Sequence, residues 1–160
     1  LPSQKLITII GPTAIGKTNL AVNLALSIDA EIISADSRQV YRRMDIGTGK
    51  DLSEYKVDNC RIPYHLIDIK NAGEEYDVFQ FQNDFYKAFQ DINSRNKIPI
   101  LCGGSGMYIE AALNPYKMIP LPDHSEWRDE LLKMDHEELI ERLNKLRPTQ
   151  HNTTDLTDME

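Results

Sequence analysis

Short apolar runs alternate with longer amphipathic stretches along the first two-thirds of the chain. Lys5-Leu6-Ile7-Thr8-Ile9-Ile10 is apolar and β-branched and predicts a buried strand. Asn19 to Leu26 predicts a helix that ends over Ser27-Ile28-Asp29-Ala30. Glu31-Ile32-Ile33-Ser34 predicts a second strand, Pro63 to Ile69 a third with a proline at its entry, and Lys97 to Cys102 a fourth. Between the last two, Val78, Phe81, Phe85, Ala88, Phe89 and Ile92 recur at spacings of three and four. That periodicity predicts a helix from Asp77 through Asn93 with one face in the core, its aromatics serving packing. Met107 to Leu113 predicts one more helix, and Leu52 to Ile62 is polar and irregular. Strands alternating with helices define an α/β fold, a parallel sheet flanked by helices.

After Asn114-Pro115 the pattern changes. A stretch punctuated by Pro115, Pro120 and Pro122 leads into charged helices without intervening strands. Asp123 with Glu126 predicts the start of a helix running to about Met134, and Asp135 with Glu138 the start of another that ends before Pro148. Leu131, Leu132, Leu139, Ile140, Leu143 and Leu146 supply an apolar stripe. Residues 1–114 therefore read as an α/β core, and residues 115–160 as a helical addition.

The loops at the ends of the strands carry the chemistry. Gly11-Pro12-Thr13-Ala14-Ile15-Gly16-Lys17-Thr18 satisfies every fixed position of the phosphate-loop pattern G-x-x-x-x-G-K-[ST], between a strand and a helix. In that context the backbone N–H groups and the helix N-terminus make an anion cradle. Lys17 adds a positive charge, and the Thr18 hydroxyl can reach a magnesium ion. Parallel α/β sheets bind ligands at the carboxyl ends of their strands, so Asp36, at the end of the second strand, shares a rim with this loop. Its carboxylate suits a water-mediated magnesium contact, a general base or a helix N-cap, and position alone does not choose among them. Gly103-Gly104-Ser105-Gly106 is a second strand–glycine–helix junction, where Ser105 is an N-cap candidate or a hydroxyl facing the ligand. Arg42 to Lys50 holds two arginines, two glycines and a lysine, which suits either a phosphate-touching loop or a solvated turn. His65 lies beside an apolar run, where a histidine is more often structural than catalytic.

Composition narrows the setting. The net charge is −7 and the pI about 5.1, which argues against a broad non-specific nucleic-acid surface but leaves room for a local basic patch. Cys60 and Cys102 lack metal spacing and read as buried thiols in a reducing compartment. No apolar run is long enough for a membrane span, no signal peptide opens the chain, and the cytosol is the expected location. The chain starts at Leu1 rather than Met, and Thr154 to Glu160 resembles a helix start without its continuation. Both ends are expected to be those of a fragment.

Several motifs in order resemble the tRNA dimethylallyltransferases, also called tRNA isopentenyltransferases. They are Gly11 to Thr18, Ser34-Ala35-Asp36-Ser37-Arg38-Gln39-Val40-Tyr41, Met44-Asp45-Ile46-Gly47-Thr48-Gly49-Lys50, His65-Leu66-Ile67-Asp68, and Gly103-Gly104-Ser105-Gly106-Met107-Tyr108. The resemblance covers Leu6 to about Leu113, and the helices to Arg147 resemble the family's inserted tRNA-binding subdomain. It implies a phosphate-loop core that moves a dimethylallyl group from its diphosphate to the exocyclic amine of an adenosine beside the anticodon. The loop, Gly11, Pro12, Thr13, Ala14, Ile15, Gly16, Lys17 and Thr18, then holds the diphosphate leaving group, with Mg2+ on Thr18. Asp36 matches the general base, and Ser105 stands where the family commonly has threonine, near the amine and the diphosphate. Asp36, Ser37, Arg38, Gln39, Ser105 and Arg128 match tRNA contacts. Gly49 stands where alanine is common. The family also uses an arginine from a helix beyond the insertion, so residues 1–160 alone are expected to be inactive, and the whole protein to act as a monomer. Two other activities share this loop: an adenylate isopentenyltransferase acting on free AMP, ADP or ATP, and a small-molecule kinase. The inserted helices favour tRNA over a free nucleotide, and no arginine-rich lid stands out for a kinase. A core that merely binds diphosphate is the non-enzymatic alternative.

Overall fold

A computed structural model describes residues 5–57, 59–114 and 125–146. The expected features at Pro115, Pro120, Pro122, Asp123, Arg147, Pro148 and 154–160 lie outside the described residues.

The chain divides into two compact units, Leu1–Met118 and Ile119–Glu160. The first is built on a four-stranded parallel sheet in the order β1-β6-β2-β5, with β1 Ile7–Ile10, β2 Ala30–Ala35, β5 Tyr64–His65 and β6 Ile98–Gly103. Parallel strands need crossovers: α1 Lys17–Ile28 links β1 to β2 and α2 Val78–Ser94 links β5 to β6, while α3 Gly106–Leu113 follows β6. β2 and β6 lie inside the sheet and are buried almost throughout, as their continuous apolar runs require. One core layer packs Phe81, Phe85 and Ile92 of α2 and Tyr108 and Ile109 of α3 against Ile33 and Leu101. The opposite layer packs Ala21, Val22 and Ala25 of α1 against Ile32 and Ile100. The rings of Phe81 and Tyr108 stack with centroids 4.1 Å apart, which joins α2 to α3. The α2 periodicity is thus core packing, and Asp77 caps the helix by accepting from the Gln80 N–H at 2.7 Å.

Three local expectations change. The strand predicted over Pro63–Ile69 shrinks to Tyr64–His65, because Leu66 and Asp68 take left-handed backbone angles (φ 63° and 57°). Those bends turn the chain back, and Asp68, Ile69 and Lys70 donate to the carbonyls of Gln39 and Val40. The irregular stretch after Asp51 contains a 3-10 turn, Leu52–Tyr55, and a two-strand ribbon of β3 Lys56–Val57 and β4 Cys60–Arg61. Both cysteines are free, but Cys60 is exposed; only Cys102 is buried.

In the second unit, α4 Ser125–Leu131 and α5 His136–Leu146 are separated by a short turn. The predicted capping box is present: Asp135 accepts from the Glu138 N–H at 2.9 Å, and the Glu138 carboxylate accepts from the Asp135 N–H at 3.4 Å. Arg142 lies over the Trp127 ring at 5.4 Å. Leu132, Leu143 and Leu146 are exposed, so the predicted stripe is only partly covered within the described residues.

Candidate phosphate-binding active site

Three connections leave the carboxyl ends of β1, β2 and β6 and meet around a cavity of about 730 Å³. The first is the loop from Gly11 to Thr18. Ala14 (φ 64°) and Gly16 (φ 89°) both sit in the left-handed region, which turns successive amides toward one side. Gly16 tolerates this without strain, whereas Ala14 does not, and a strained alanine is a feature of functional loops. Lys17 opens α1, and its ammonium donates to the Pro12 carbonyl at 2.6 Å, folded over its own loop. Thr13, Ala14, Gly16, Lys17 and Thr18 line the cavity.

The second connection carries Asp36. Its Oδ1 accepts from the Arg38 N–H at 2.9 Å, so the carboxylate orders a turn; no helix follows for it to cap. Asp36, Ser37, Arg38 and Gln39 all border the cavity. Gln39 is turned inward: its Oε1 accepts from the Ser34 hydroxyl at 3.2 Å and its Nε2 donates to the Gly49 carbonyl at 3.3 Å.

The third connection carries Ser105. It stands at the N-cap position of α3 but makes no side-chain cap. Its hydroxyl instead accepts from the Ser37 N–H at 3.0 Å and donates to the Ser37 hydroxyl at 3.3 Å, while the Ser105 N–H donates to the Ala35 carbonyl at 3.1 Å. Ser105 therefore braces the Asp36 turn. Gly103 makes this approach possible: a Cβ there would lie 2.2 Å from the Ala35 carbonyl oxygen, which no side chain tolerates. A Cβ on Gly104 would lie 3.1 Å from the Gly11 carbonyl, so the third connection also touches the phosphate loop.

Sequence reasoning missed several members of this site. Asp51, Glu54, Tyr55 and Cys102 line it as well. Burial pushes the Cys102 thiol up to about 11, so it is a packing group rather than a nucleophile. Burial likewise pushes the Tyr55 hydroxyl upward. The Arg42–Lys50 stretch is neither a phosphate contact at Lys50 nor a solvated turn there. The Lys50 side chain is 1% exposed and bound to Asp45 and Asp68. Burial opposes its charge, but hydrogen bonds to Asp45 and Asp68 outweigh that and raise its pKa. His65 lies away from this rim, against Glu31. Arg128 is exposed in the last turn of α4, in the second unit. A spacing pattern carries no signal for contacts between loops so far apart in sequence.

A glycine loop with lysine and threonine at the head of a helix, on the carboxyl rim of a parallel sheet, defines a P-loop NTPase-like fold with a phosphate-binding site. Residues 39–160 match the family model described as IPP transferase. The chain is 56% identical over 156 residues to tRNA dimethylallyltransferase 2 of Trichlorobacter lovleyi, covering 98% of this chain and 50% of that protein. It is 53% identical to tRNA dimethylallyltransferase 1 of Parabacteroides distasonis, with the same coverage. Among solved structures it resembles the full-length tRNA isopentenylpyrophosphate transferase of Bacillus halodurans, with TM-score 0.68, 34% identity, and 98% and 50% coverage of the two chains. A eukaryotic dimethylallyltransferase acting on tRNA matches with TM-score 0.73 and 31% identity over 91% of this chain and 36% of that one. The chain belongs to the IPP transferase family. It spans about half the length of the curated relatives it matches.

Proposed function

We propose that the full-length protein transfers a dimethylallyl group from dimethylallyl diphosphate to the exocyclic amine of the adenosine beside the anticodon in tRNA. The observation that carries this reading is that Lys17, Thr18, Asp36 and Ser105 line one and the same cavity. The reaction breaks the C–O bond to the diphosphate and forms a C–N bond to the adenine amine. Negative charge builds on the departing diphosphate, and the N–H groups of Thr13 to Thr18 with the Lys17 ammonium stabilise it. Lys17 gives one N–H to the Pro12 carbonyl, and an ammonium has three to give. Asp36 takes the amine proton as the new bond forms. Ser105 holds the Asp36 turn through Ser37 and presents its hydroxyl to the same space. A base must leave its stack to enter this cavity.

The oxygen donors fit magnesium. Thr18 would hold it together with diphosphate oxygens, which leaves the Asp36 carboxylate free as the base, and among the described residues no cluster of three His, Cys, Asp or Glu side chains supplies a metal cage of its own. Bound there, Mg2+ would neutralise the leaving group. Ser37, Arg38 and Gln39 border the acceptor side, and the second unit, with Arg128, contacts the tRNA backbone. Among the described residues no helix is long and apolar enough to cross a membrane. The monomeric state and cytosolic location expected from the sequence belong to this reading.

The test is transfer from radiolabelled dimethylallyl diphosphate by the full-length protein, with tRNA, AMP and ATP as parallel acceptors. Label is expected in tRNA. Label in AMP but not in tRNA overturns the reading.

A further inference from the structure

We propose that the closed turn from Tyr41 to Lys50 is a preformed lip for the acceptor RNA, with Ile46 as its contact and Lys50 as its positioning residue. The inference rests on the prenyl-transfer reading above and extends it to a segment that reading does not use.

Lys50 has no proton to spare for a ligand. Its ammonium donates to the Tyr41 carbonyl at 2.9 Å and to Asp68 at 2.6 Å, and it pairs with Asp45 at 2.7 Å. Three acceptors match its three N–H bonds. The bond to Tyr41 joins the two ends of the turn. Outside the turn, the Arg42 N–H donates to the Lys70 carbonyl at 2.8 Å, and Gln39 holds the Gly49 carbonyl. Inside it, the Thr48 hydroxyl donates to the Met44 carbonyl at 2.8 Å. The segment is fixed at several points, yet Ile46 at its tip is 99% exposed.

A single exposed apolar side chain is ordinary. Ile46 differs in where it is held. Its neighbours Asp45 and Gly47 both line the catalytic cavity, so the tip stands at the mouth. Its backbone is already ordered, so docking against it costs little further conformational entropy. The chemistry around it selects the partner. Arg42 and Arg43 lie on the same turn and line a second cavity of about 580 Å³ together with three carboxylates: Asp45 and Asp68, which Lys50 pairs, and Asp51, which accepts from the Ser53 N–H; Asp45, Lys50 and Asp51 also line the first cavity. Guanidinium groups suit backbone phosphates, and an apolar tip on the same turn suits unstacked bases. Proteins that draw a base out of its stack use apolar side chains against the neighbouring bases. That combination fits a single-stranded RNA loop with its target base drawn into the main cavity. A free nucleotide would enter the cavity without touching the lip.

The test uses the full-length protein and an anticodon stem-loop RNA, with Ile46→Ser, Ile46→Leu and Asp45→Ala. Ile46→Ser is expected to raise the RNA KM about tenfold with kcat and the dimethylallyl diphosphate Kd within about twofold, and Ile46→Leu to restore most of the loss. Asp45→Ala is expected to raise the RNA KM similarly and to speed amide hydrogen exchange over residues 42–49 while leaving β2 protected. Lys50→Met leaves two carboxylates without their cation and can fail to fold, so it is not relied on. An unchanged RNA KM in Ile46→Ser, a matching rise in the diphosphate Kd, or unchanged exchange in Asp45→Ala each overturns the inference while the transfer reading stands. Wild-type transfer to AMP but not to RNA overturns the reading itself, and the lip with it.

Discussion

The two ends of the sheet in the first unit both gather charged side chains, and they treat them differently. At the end where β2 and β6 begin, Glu31 pairs with Arg95 at 2.8 Å and with His65 at 2.7 Å, Arg95 also pairs with Asp91, and Lys97 pairs with Asp29. Each carboxylate there has a cationic partner, Arg95 or Lys97, and none of these side chains lines the cavity of Asp36 and Lys17. At the other end Lys50 is paired with Asp45 and Asp68, but Asp36 and Lys17 are held by backbone groups: an amide for the carboxylate, a carbonyl for the ammonium. A backbone partner orients a charge without neutralising it. The contrast separates a structural cluster from a chemical one better than residue type does, since histidine, the usual candidate for acid–base work, lies at the structural end.

That contrast can be broken by mutation. The largest effect is expected from Asp36→Ala in the full-length protein: transfer falls by about two to four orders of magnitude while diphosphate binding persists. Labelled transfer and a binding titration measure the two separately, and a parallel loss of binding would make Asp36 a ligand holder instead. Gly103→Ala comes next, because its new Cβ must displace the Ala35 backbone. A stability loss of about 3 kcal/mol is expected in thermal or denaturant unfolding, with transfer falling too as the Asp36 turn moves.

Glu31→Gln should lower stability by about 2 kcal/mol and leave transfer unchanged, since a charge-assisted bond to Arg95 is weakened far from the cavity. Its pH dependence follows from its environment. Burial alone would raise the Glu31 pKa, but hydrogen bonds from Arg95 and His65 outweigh it, and the net shift is downward from 4.5. The associated stability is fully present above the ordinary glutamate value and is lost as pH falls through the depressed one. Unfolding measured across that acid range should show the loss in the wild type and not in Glu31→Gln. Lys97→Ala is expected to be the mildest, about 0.5 kcal/mol or less, because its partner Asp29 is 83% exposed and solvent screens the pair.

Much of this was legible beforehand because it depends on residues close together in the chain. The phosphate loop needs only its glycines, Lys17 and Thr18 between a strand and a helix. The α2 face follows from a 3.6-residue period, and the caps at Asp77 and Asp135 from residues three apart. The rule that ligands bind at carboxyl ends of parallel strands was enough to expect Asp36 near the loop. The strand expected over Pro63–Ile69 stops at His65, because an apolar run does not reveal that the chain bends at Leu66 and Asp68 to hold Gln39 and Val40.

The sequence by itself determined the parallel α/β plan, the anion cradle and the rim on which Asp36 stands, since periodicity, turn chemistry and strand direction are local properties of the chain. Only the tertiary structure decided that Ser105 braces Ser37 across 68 residues, that Lys50 is consumed inside a closed turn, and that His65 serves Glu31. Those outcomes depend on which distant groups desolvate together. A lysine or a serine has the same propensities whether its partner is solvent, a carboxylate or another loop's amide, and the packed fold alone supplies that partner.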